Sequence, residues 1–339
     1  VIAETASVHP ALRHAASGRM GVFSVAEARS AGYGPDEIRA LRSSGRWVRL
    51  RQGVYTTAED LAVTERDGVR HAVECLAVLT SLARPTAVVS HASAARVWGW
   101  PVPRREPGTV RLTDPHQWRR TTDYRMACAP VPPEHRAHRG PVPLSSPART
   151  LVDCGREWPL EDAVIAMDAG LLAGRTTSAE LRDALALARH WPGAPRAVRA
   201  VALADGRAES PLETRGRLRI VGAGLPVFQP QVEIWSDGRL LAVVDGWYDD
   251  AAIALEFDGK LKYTDPWGGR TPGQVLWAEK RREDALRSLD VRVVRIADED
   301  VDRGWGALDR RLRGMLGVAG PVDRRFTVVP RAIGRPRAG

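Results

Sequence analysis

Apolar and polar positions follow different rhythms along the chain, and each rhythm marks an element. In "RMGVFSVAEARSAGYGPDEIRALRSSGRWVRLRQGVYTT", residues 19–57, Ser24 precedes a short helix "VAEARSAG". Glu27, three residues on, completes a capping box. Gly32 to Gly34 make a turn, Pro35 suits the first position of a second helix, and Ile38 and Leu41 lie at helical spacing before Gly45 stops it. "RWVRLRQGVYTT" then alternates with period two, as a strand or hairpin does.

Helix, turn, helix and basic hairpin together predict a winged helix-turn-helix over residues 1–60. Residues 61–205 read as a mixed α/β middle domain. There "RDGVRHAVECLAVLTSLA" is an amphipathic helix and "TAVVSHASAARVWGW" a short strand followed by a capped helix. "GTVRLTD" and "DYRMACAPV" are short strands, and the helical stretch after them starts at Ser146-Pro147. From Ser210 the pattern changes to helix, three strands, helix, strand. "SPLETRGRLRIVGAG" has a Ser cap and Pro at the first turn; "VFQPQVEI", "LLAVVDGWY" and "AAIALEF" are strands; "GQVLWAEKRREDALRSL" is an amphipathic helix and "VRVVRI" a buried-type strand. Residues 206–318 are thus a separate α/β domain, and the Pro- and Gly-rich basic segment 319–339 reads as a flexible tail that aids DNA binding electrostatically. The whole is an α+β multidomain chain, as its 339 residues lead one to expect.

Charge adds a partner to this picture. The net formal charge is +9 and the isoelectric point about 10.1, which suits a polyanion, nucleic acid foremost, and also admits a ribosome or membrane surface. Arg39, Arg42 and Arg46 recur at i, i+3 and i+7 through the second helix, and Arg49 and Arg51 fall on a single face of the hairpin. That layout fits a helix in the major groove and a wing on phosphates; the alternative is a solvated basic face. No apolar stretch approaches the roughly 20 residues of a membrane span, and the first residues lack an apolar leader core, so a soluble, cytoplasmic protein is expected. Cys75, Cys128 and Cys154 have neither CxxC spacing nor a nearby ligand histidine, which predicts reduced thiols.

The candidate chemistry lies in the last domain. Asp245 is near the end of its second strand and Glu256 near the end of its third; neighbouring antiparallel strands are about 4.8 Å apart, so the two carboxylates could share Mg2+ or Mn2+. Alternation puts Asp258 and Lys260 on the face of Glu256. A metal there would activate water and polarise a phosphoryl oxygen, with an ammonium stabilising negative charge. Only three lysines occur against 47 arginines, and Lys260, Lys262 and Lys280 cluster within 21 residues. Lys262, Lys280, Arg281 and Arg282 read as phosphate contacts or solvated charge. Two bland alternatives stand beside the site: Glu213 completes a capping box with Ser210, and Asp258-Gly259 is a hairpin-turn signal. His91, beside Ser90 and Ser93, is a catalytic candidate or, more simply, a cap or satisfied core residue.

The segment "GVFSVAEARSAG…IRALRSSGRWVRLRQGVY" resembles the amino-terminal winged-helix domain of AbiEi antitoxins, and the middle region is similar to that of AbiEi-like proteins. The resemblance implies binding to promoter DNA, repression of a toxin operon and a cognate toxin as partner. "SPLETR…VVDGWYDDAAIALEFDGK…EKRREDALRSLDVRVVRI" resembles PD-(D/E)xK nucleases, in particular the small domains related to very-short-patch-repair endonucleases. This second resemblance implies a restriction-endonuclease-like fold, double-stranded DNA as substrate, Asp245 and Glu256 as metal ligands and Glu213 as the helix carboxylate. It departs from the pattern in two ways. Asp258 stands where lysine is usual, with Lys260 roughly 6.6 Å further along an extended strand, so Lys260 or Lys280 must substitute; and all eight histidines lie at or before His190. The leading expectation is therefore a DNA-binding, metal-dependent endonuclease, with a non-catalytic regulator or antitoxin carrying a degenerate nuclease domain as the alternative.

Overall fold

Local signals of the first sixty residues translate directly into structure. The computed structural model describes residues 8–259 and 272–332; Lys260 and Lys262 lie outside the described residues. The first elements are α1 (Pro10–Ser17), β1 (Phe23–Ser24), α2 (Val25–Ser30), α3 (Pro35–Ser43), β2 (Trp47–Arg51) and β3 (Val54–Thr57). Ser24 and Glu27 cap α2 reciprocally: the Ser24 hydroxyl accepts from the Glu27 amide at 3.2 Å, and the Ser24 amide donates to the Glu27 carboxylate at 2.7 Å. Pro35 opens α3 and Gly45, at φ +75°, closes the turn after it. The three strands form an antiparallel sheet in the order β1-β3-β2. A small core of Leu12, Phe23, Ile38, Trp47 and Tyr55 fills the space between helices and sheet.

The chain continues through α4 (Ala58–Arg66), α5 (Arg70–Leu82), β4 (Val88–Val89), α6 (His91–Trp98), β5 (Val110–Asp114), β6 (Arg119–Arg120), β7 (Tyr124–Cys128), β8 (Arg136–Arg139), β9 (Val142–Ser145) and α7 (Pro147–Glu157). These strands make a mixed six-stranded sheet, β6-β7-β5-β4-β9-β8. Val22 and Val54 from the first segment join Val73, Leu76, Leu112, Met126 and Leu144 in one core. Residues 1–158 with 179–197 accordingly form one compact unit, which holds both the predicted winged-helix segment and most of the predicted middle domain. Cys75 and Cys154 are buried, Cys128 is exposed, and all three are free thiols.

A second compact unit comprises residues 159–178 and 198–339. It begins with α8 (Leu160–Leu172); α9 (Ser178–Leu187) belongs from Ala179 on to the first unit, the division comes within α10 (Ala194–Leu203), and then follow α11 (Pro211–Gly222), β10 (Gln229–Ser236), β11 (Arg239–Tyr248), β12 (Ile253–Asp258), α12 (Pro272–Arg287), β13 (Arg292–Ala297), α13 (Asp298–Asp302), α14 (Trp305–Leu316) and β14 (Thr327–Pro330). The predicted order of helix, three strands, helix and strand is present. The sheet runs β13-β12-β11-β10-β14, antiparallel except for the parallel pair β12–β13. That parallel pair excludes a tight hairpin between β12 and β13 at Asp258-Gly259, because parallel neighbours need a crossover. Ala251 to Leu255 are all buried. On one face of the sheet Leu212, Phe228, Leu255, Phe257 and Leu312 form a core with α11, α13 and α14; on the other Val232, Val244, Ala254 and Leu286 form a core with α12. Arg215 on α11 ties Glu161 of α8 at 3.2 Å to Asp298 of α13 at 3.1 Å. Within the segment predicted as a flexible tail, Thr327–Pro330 is an edge strand paired with β10. No helix among the described residues is long and apolar enough to cross a membrane.

Candidate nucleic-acid interface and acidic cluster

The second helix and the hairpin bring the basic residues of the first segment to a common groove. Arg39, Arg42 and Ser43 from α3 and Trp47 and Arg49 from β2 line an open depression of about 290 Å³. Its floor is rigid because Trp47 is buried and packs edge-on against Phe23, ring centroids 4.7 Å apart, and against Tyr33 at 4.9 Å. Arg42 lies with its guanidinium 5.7 Å from the Tyr55 ring centre, a cation–π arrangement that orients it without neutralising it. Arg39 meets Asp36 at 2.8 Å, but both side chains are largely in solvent, so the pair is worth little and Arg39 stays available to an anion. Arg46, in the turn after α3, is also exposed.

Arg51 departs from the sequence expectation. The register of β2 against β3 shifts between Arg49 and Arg51, and one extra residue in a strand reverses the face on which the next side chain stands. Arg49 is opposite Tyr55, whereas Arg51 is opposite Val54. Arg51 therefore leaves the groove: it pairs with Asp123 at 3.2 Å and covers the Tyr124 ring at 5.2 Å.

The carboxylates of the second unit are also divided. The β11–β12 ladder ends at Gly246 and Leu255, so a continued ladder would set Asp245 opposite Glu256. Instead the buried Asp245 carboxylate accepts the Phe257 amide at 2.7 Å. Gln231 stands next to it at φ +50°, a left-handed conformation that costs free energy for a non-glycine residue and persists only when its surroundings hold it. Its side-chain amide donates to Glu213 at 2.9 Å and to Asp245 at 3.4 Å. Glu213 also caps α11, accepting from the Ser210 hydroxyl and the Glu209 amide, each at 2.9 Å. Capping and membership of the cluster are thus one arrangement. Glu213, Asp245, Arg217 and Phe257 line a cavity of about 10 Å³ beneath α11.

Glu256 faces the other way. Leu255 and Phe257 pack under α11, so alternation sends Glu256 to the α12 face. There it accepts from Arg282 at 2.9 Å and lies 3.5 Å from Arg295. Asp258, at the end of β12, is half-buried, while Lys280 and Arg281 are exposed. The cation that reaches Glu256 is Arg282 rather than Lys280. Asp245, Glu256 and Asp258 therefore do not converge. Among the described residues no three His, Cys, Asp or Glu side chains are placed to hold a metal.

Residues without a sequence signal complete the cluster. Arg217 donates to Asp168 at 2.7 Å, and Thr214 and the Asp205 amide donate to the same carboxylate at 2.8 and 2.7 Å. Burial pushes the Asp168 carboxyl up to about 6, opposed first by the charge of Arg217. Arg331 donates to Gln231 at 2.9 Å and to Glu209 at 2.6 Å. In the first unit His91 is buried at φ +49°. Thr113 donates to the Ser90 hydroxyl at 2.8 Å, and that hydroxyl lies 2.8 Å from His91 Nδ1. The other ring nitrogen, Nε2, lies 3.5 Å from Glu157. His91 is a satisfied core residue, and burial lowers its pKa.

Comparison with known proteins assigns the first of these regions. Residues 10–58 match the family described as "Transcriptional regulator, AbiEi antitoxin", so this amino-terminal segment is similar to a regulator domain of that type. The match ends at residue 58. The chain is 28% identical over 274 residues to two uncharacterized proteins of Mycobacterium tuberculosis, MT2308 of strain CDC 1551 / Oshkosh and Rv2248 of strain ATCC 25618 / H37Rv, covering 79% of this chain and 92% of each relative. The crystal structure of the RV2827C protein from Mycobacterium tuberculosis aligns at 18% identity with a TM-score of 0.37, covering 62% of this chain and 84% of that one.

Proposed function

We propose that the chain is a DNA-binding transcriptional regulator of the antitoxin type, reading duplex through an amino-terminal winged helix-turn-helix and acting with a cognate toxin protein. The observation that carries this reading is the convergence of Arg39, Arg42 and Arg49 on one groove inside the segment that matches the antitoxin regulators. In it α3 enters the major groove and Arg49 meets a phosphate. The carboxyl-terminal unit commits its acids to structural partners: Glu256 to two arginines, Glu213 and Asp245 to Gln231. The test is binding to the duplex upstream of the chain's own coding sequence. Arg42→Ala should weaken it at least tenfold, and the triple change of Arg39, Arg42 and Arg49 to Ala should abolish sequence preference. Unchanged binding by the triple variant would remove the reading.

A metal-dependent endonuclease is the second reading, favoured by the joint placement of Glu213 and Asp245 in one buried cavity. Cleavage of duplex in Mg2+ or Mn2+ that disappears in Asp245→Asn, with DNA binding retained, would establish it over the first.

A further inference from the structure

The strand pair at the edge of the six-stranded sheet carries charge that the fold does not use. Strands β6 and β7 form an antiparallel hairpin in which Arg119 is opposite Met126 and Arg120 is opposite Arg125. Two arginines directly across a ladder repel each other. Both are exposed, as are Arg119 and His116, and Trp118 is 69% exposed. None of Arg119, Arg120 and Arg125 has an acidic side-chain partner among the described residues. The acid closest in sequence, Asp123 in the turn, is occupied by Arg51. An edge strand with uncompensated arginines resists pairing with another strand, which argues against a peptide as its occupant. An exposed tryptophan beside those arginines offers instead a stacking face among phosphate-binding charges.

Position supplies the second argument. Arg51 fastens the β6–β7 turn to the end of β2 through Asp123 at 3.2 Å and the Tyr124 ring at 5.2 Å. Arg49, which lines the groove of α3, is two strand residues away, roughly 6 Å. A duplex that seated in the groove and followed β2 would reach the end of the strand that Arg51 ties to the hairpin. The register shift that withdraws Arg51 from the groove is the feature that joins the two surfaces.

We propose that the β6–β7 hairpin is a second contact to the same duplex, with Arg119, Arg120 and Arg125 on phosphates that flank the groove's site and Trp118 stacked against a sugar or base at the groove edge. The proposal rests on the DNA-binding reading of the amino-terminal groove and extends its footprint. It predicts that the hairpin contributes affinity and salt dependence but little sequence preference, because phosphates carry no sequence information.

The experiment uses the full chain and fluorescein-labelled duplexes from upstream of its own coding sequence: a short one covering only the segment protected by α3, and one longer by about ten base pairs on each side, one helical turn. Trp118→Ala and the triple Arg119→Ala, Arg120→Ala, Arg125→Ala variant are compared with the unaltered chain across a salt series, with circular dichroism to confirm the fold. The short duplex should bind all of them equally. The long duplex should bind the triple variant 10- to 100-fold more weakly, with the slope of log K against log salt shallower by about 2 to 3, at roughly 0.9 for each phosphate no longer neutralised. Trp118→Phe should retain most of the affinity that Trp118→Ala forfeits. Equal binding of the long duplex by the triple variant overturns the proposal while Arg42→Ala, losing both duplexes, would leave the groove reading intact. Loss confined to an acidic protein partner also overturns it, and failure of the unaltered chain to bind either duplex removes both readings.

Discussion

Single residues in this chain acquire their roles from backbone details that side-chain identity does not reveal. Arg49 and Arg51 are chemically alike, yet one register shift sends the first to an open groove and the second to Asp123 and Tyr124. His91 is the comparable case in the core: beside two serines it resembles a catalytic histidine, but burial favours its neutral form against the opposing pull of Asp153 and Glu157. Burial lowers its pKa from an ordinary value of 6.5. The unfolded chain therefore takes up a proton near pH 6.5 that the folded chain refuses until lower pH. The stability this histidine contributes is complete above that pH and is lost as pH falls below it. Thermal unfolding between pH 7.5 and 5 should show a steeper acid-side loss in the unaltered chain than in His91→Asn, a residue that tolerates the left-handed backbone. Parallel curves would refute the assignment. At Glu256, replacement by Ala takes from the half-buried Arg282 its carboxylate at 2.9 Å, while Arg295 keeps Glu283 at 2.7 Å, and should cost about 1–3 kcal/mol. Urea unfolding followed in the second unit measures it; no change in midpoint would mean the pairs are only solvated contacts.

At the scale of elements, the close approach of α11 to β12 decides how the acidic cluster is built. Gly216 lies against Phe257 so tightly that a Cβ would stand 2.8 Å from the ring Cζ and closer still to Cε1. Ala at a helix interior gains about 1 kcal/mol over Gly, but overpacking a rigid ring costs about 1–3 kcal/mol. Gly216→Ala should be net destabilising and should loosen the Glu213–Gln231–Asp245 bonds, seen as faster hydrogen exchange at the Phe257 amide, which Asp245 holds. Slower exchange there would contradict the packing argument. The sequence shows why α2, α3, α11 and the strands β10 to β12 were legible: caps, proline starts and alternation act over a few residues and are printed in the chain. What escaped it depends on other elements. The face on which Asp245 and Glu256 fall is set by the left-handed backbone at Gln231 and by Phe257 packed under α11, and the strand character of Thr327–Pro330 exists only because β10 offers an edge. A tail rich in Arg and Pro carries no periodic sign of that.

For the molecule as a whole, the segment from Thr327 to Arg331 is a structural element rather than an appendage. β14 pairs with β10 from Val232 opposite Pro330 to Trp235 opposite Thr327, and Arg331, only 8% exposed, follows directly. Its backbone amide donates to the Gln231 carbonyl at 2.9 Å. Its guanidinium reaches Gln231 and Glu209, the residues on either side of Glu213 in the acidic cluster. Removing one member of a buried charged pair strands the other, at a cost of about 3–5 kcal/mol when both are fully buried; Glu209 keeps a side-chain exposure of 27%, which screens the pair and brings the expectation for Arg331→Ala to about 1–3 kcal/mol. A chain ending at residue 326 should lose that and the β10–β14 ladder besides, leaving β10 as an open edge liable to self-association. Hydrogen exchange should therefore rise across β10 in both variants and more in the truncated one, with a lower denaturation midpoint for the second unit. DNA binding through Arg39, Arg42 and Arg49 should survive in both, because those residues belong to the first unit. Protection of β10 equal to that of the full chain would show that β14 and Arg331 only rest on the sheet; protection lost together with DNA binding would mean that the two units act as one.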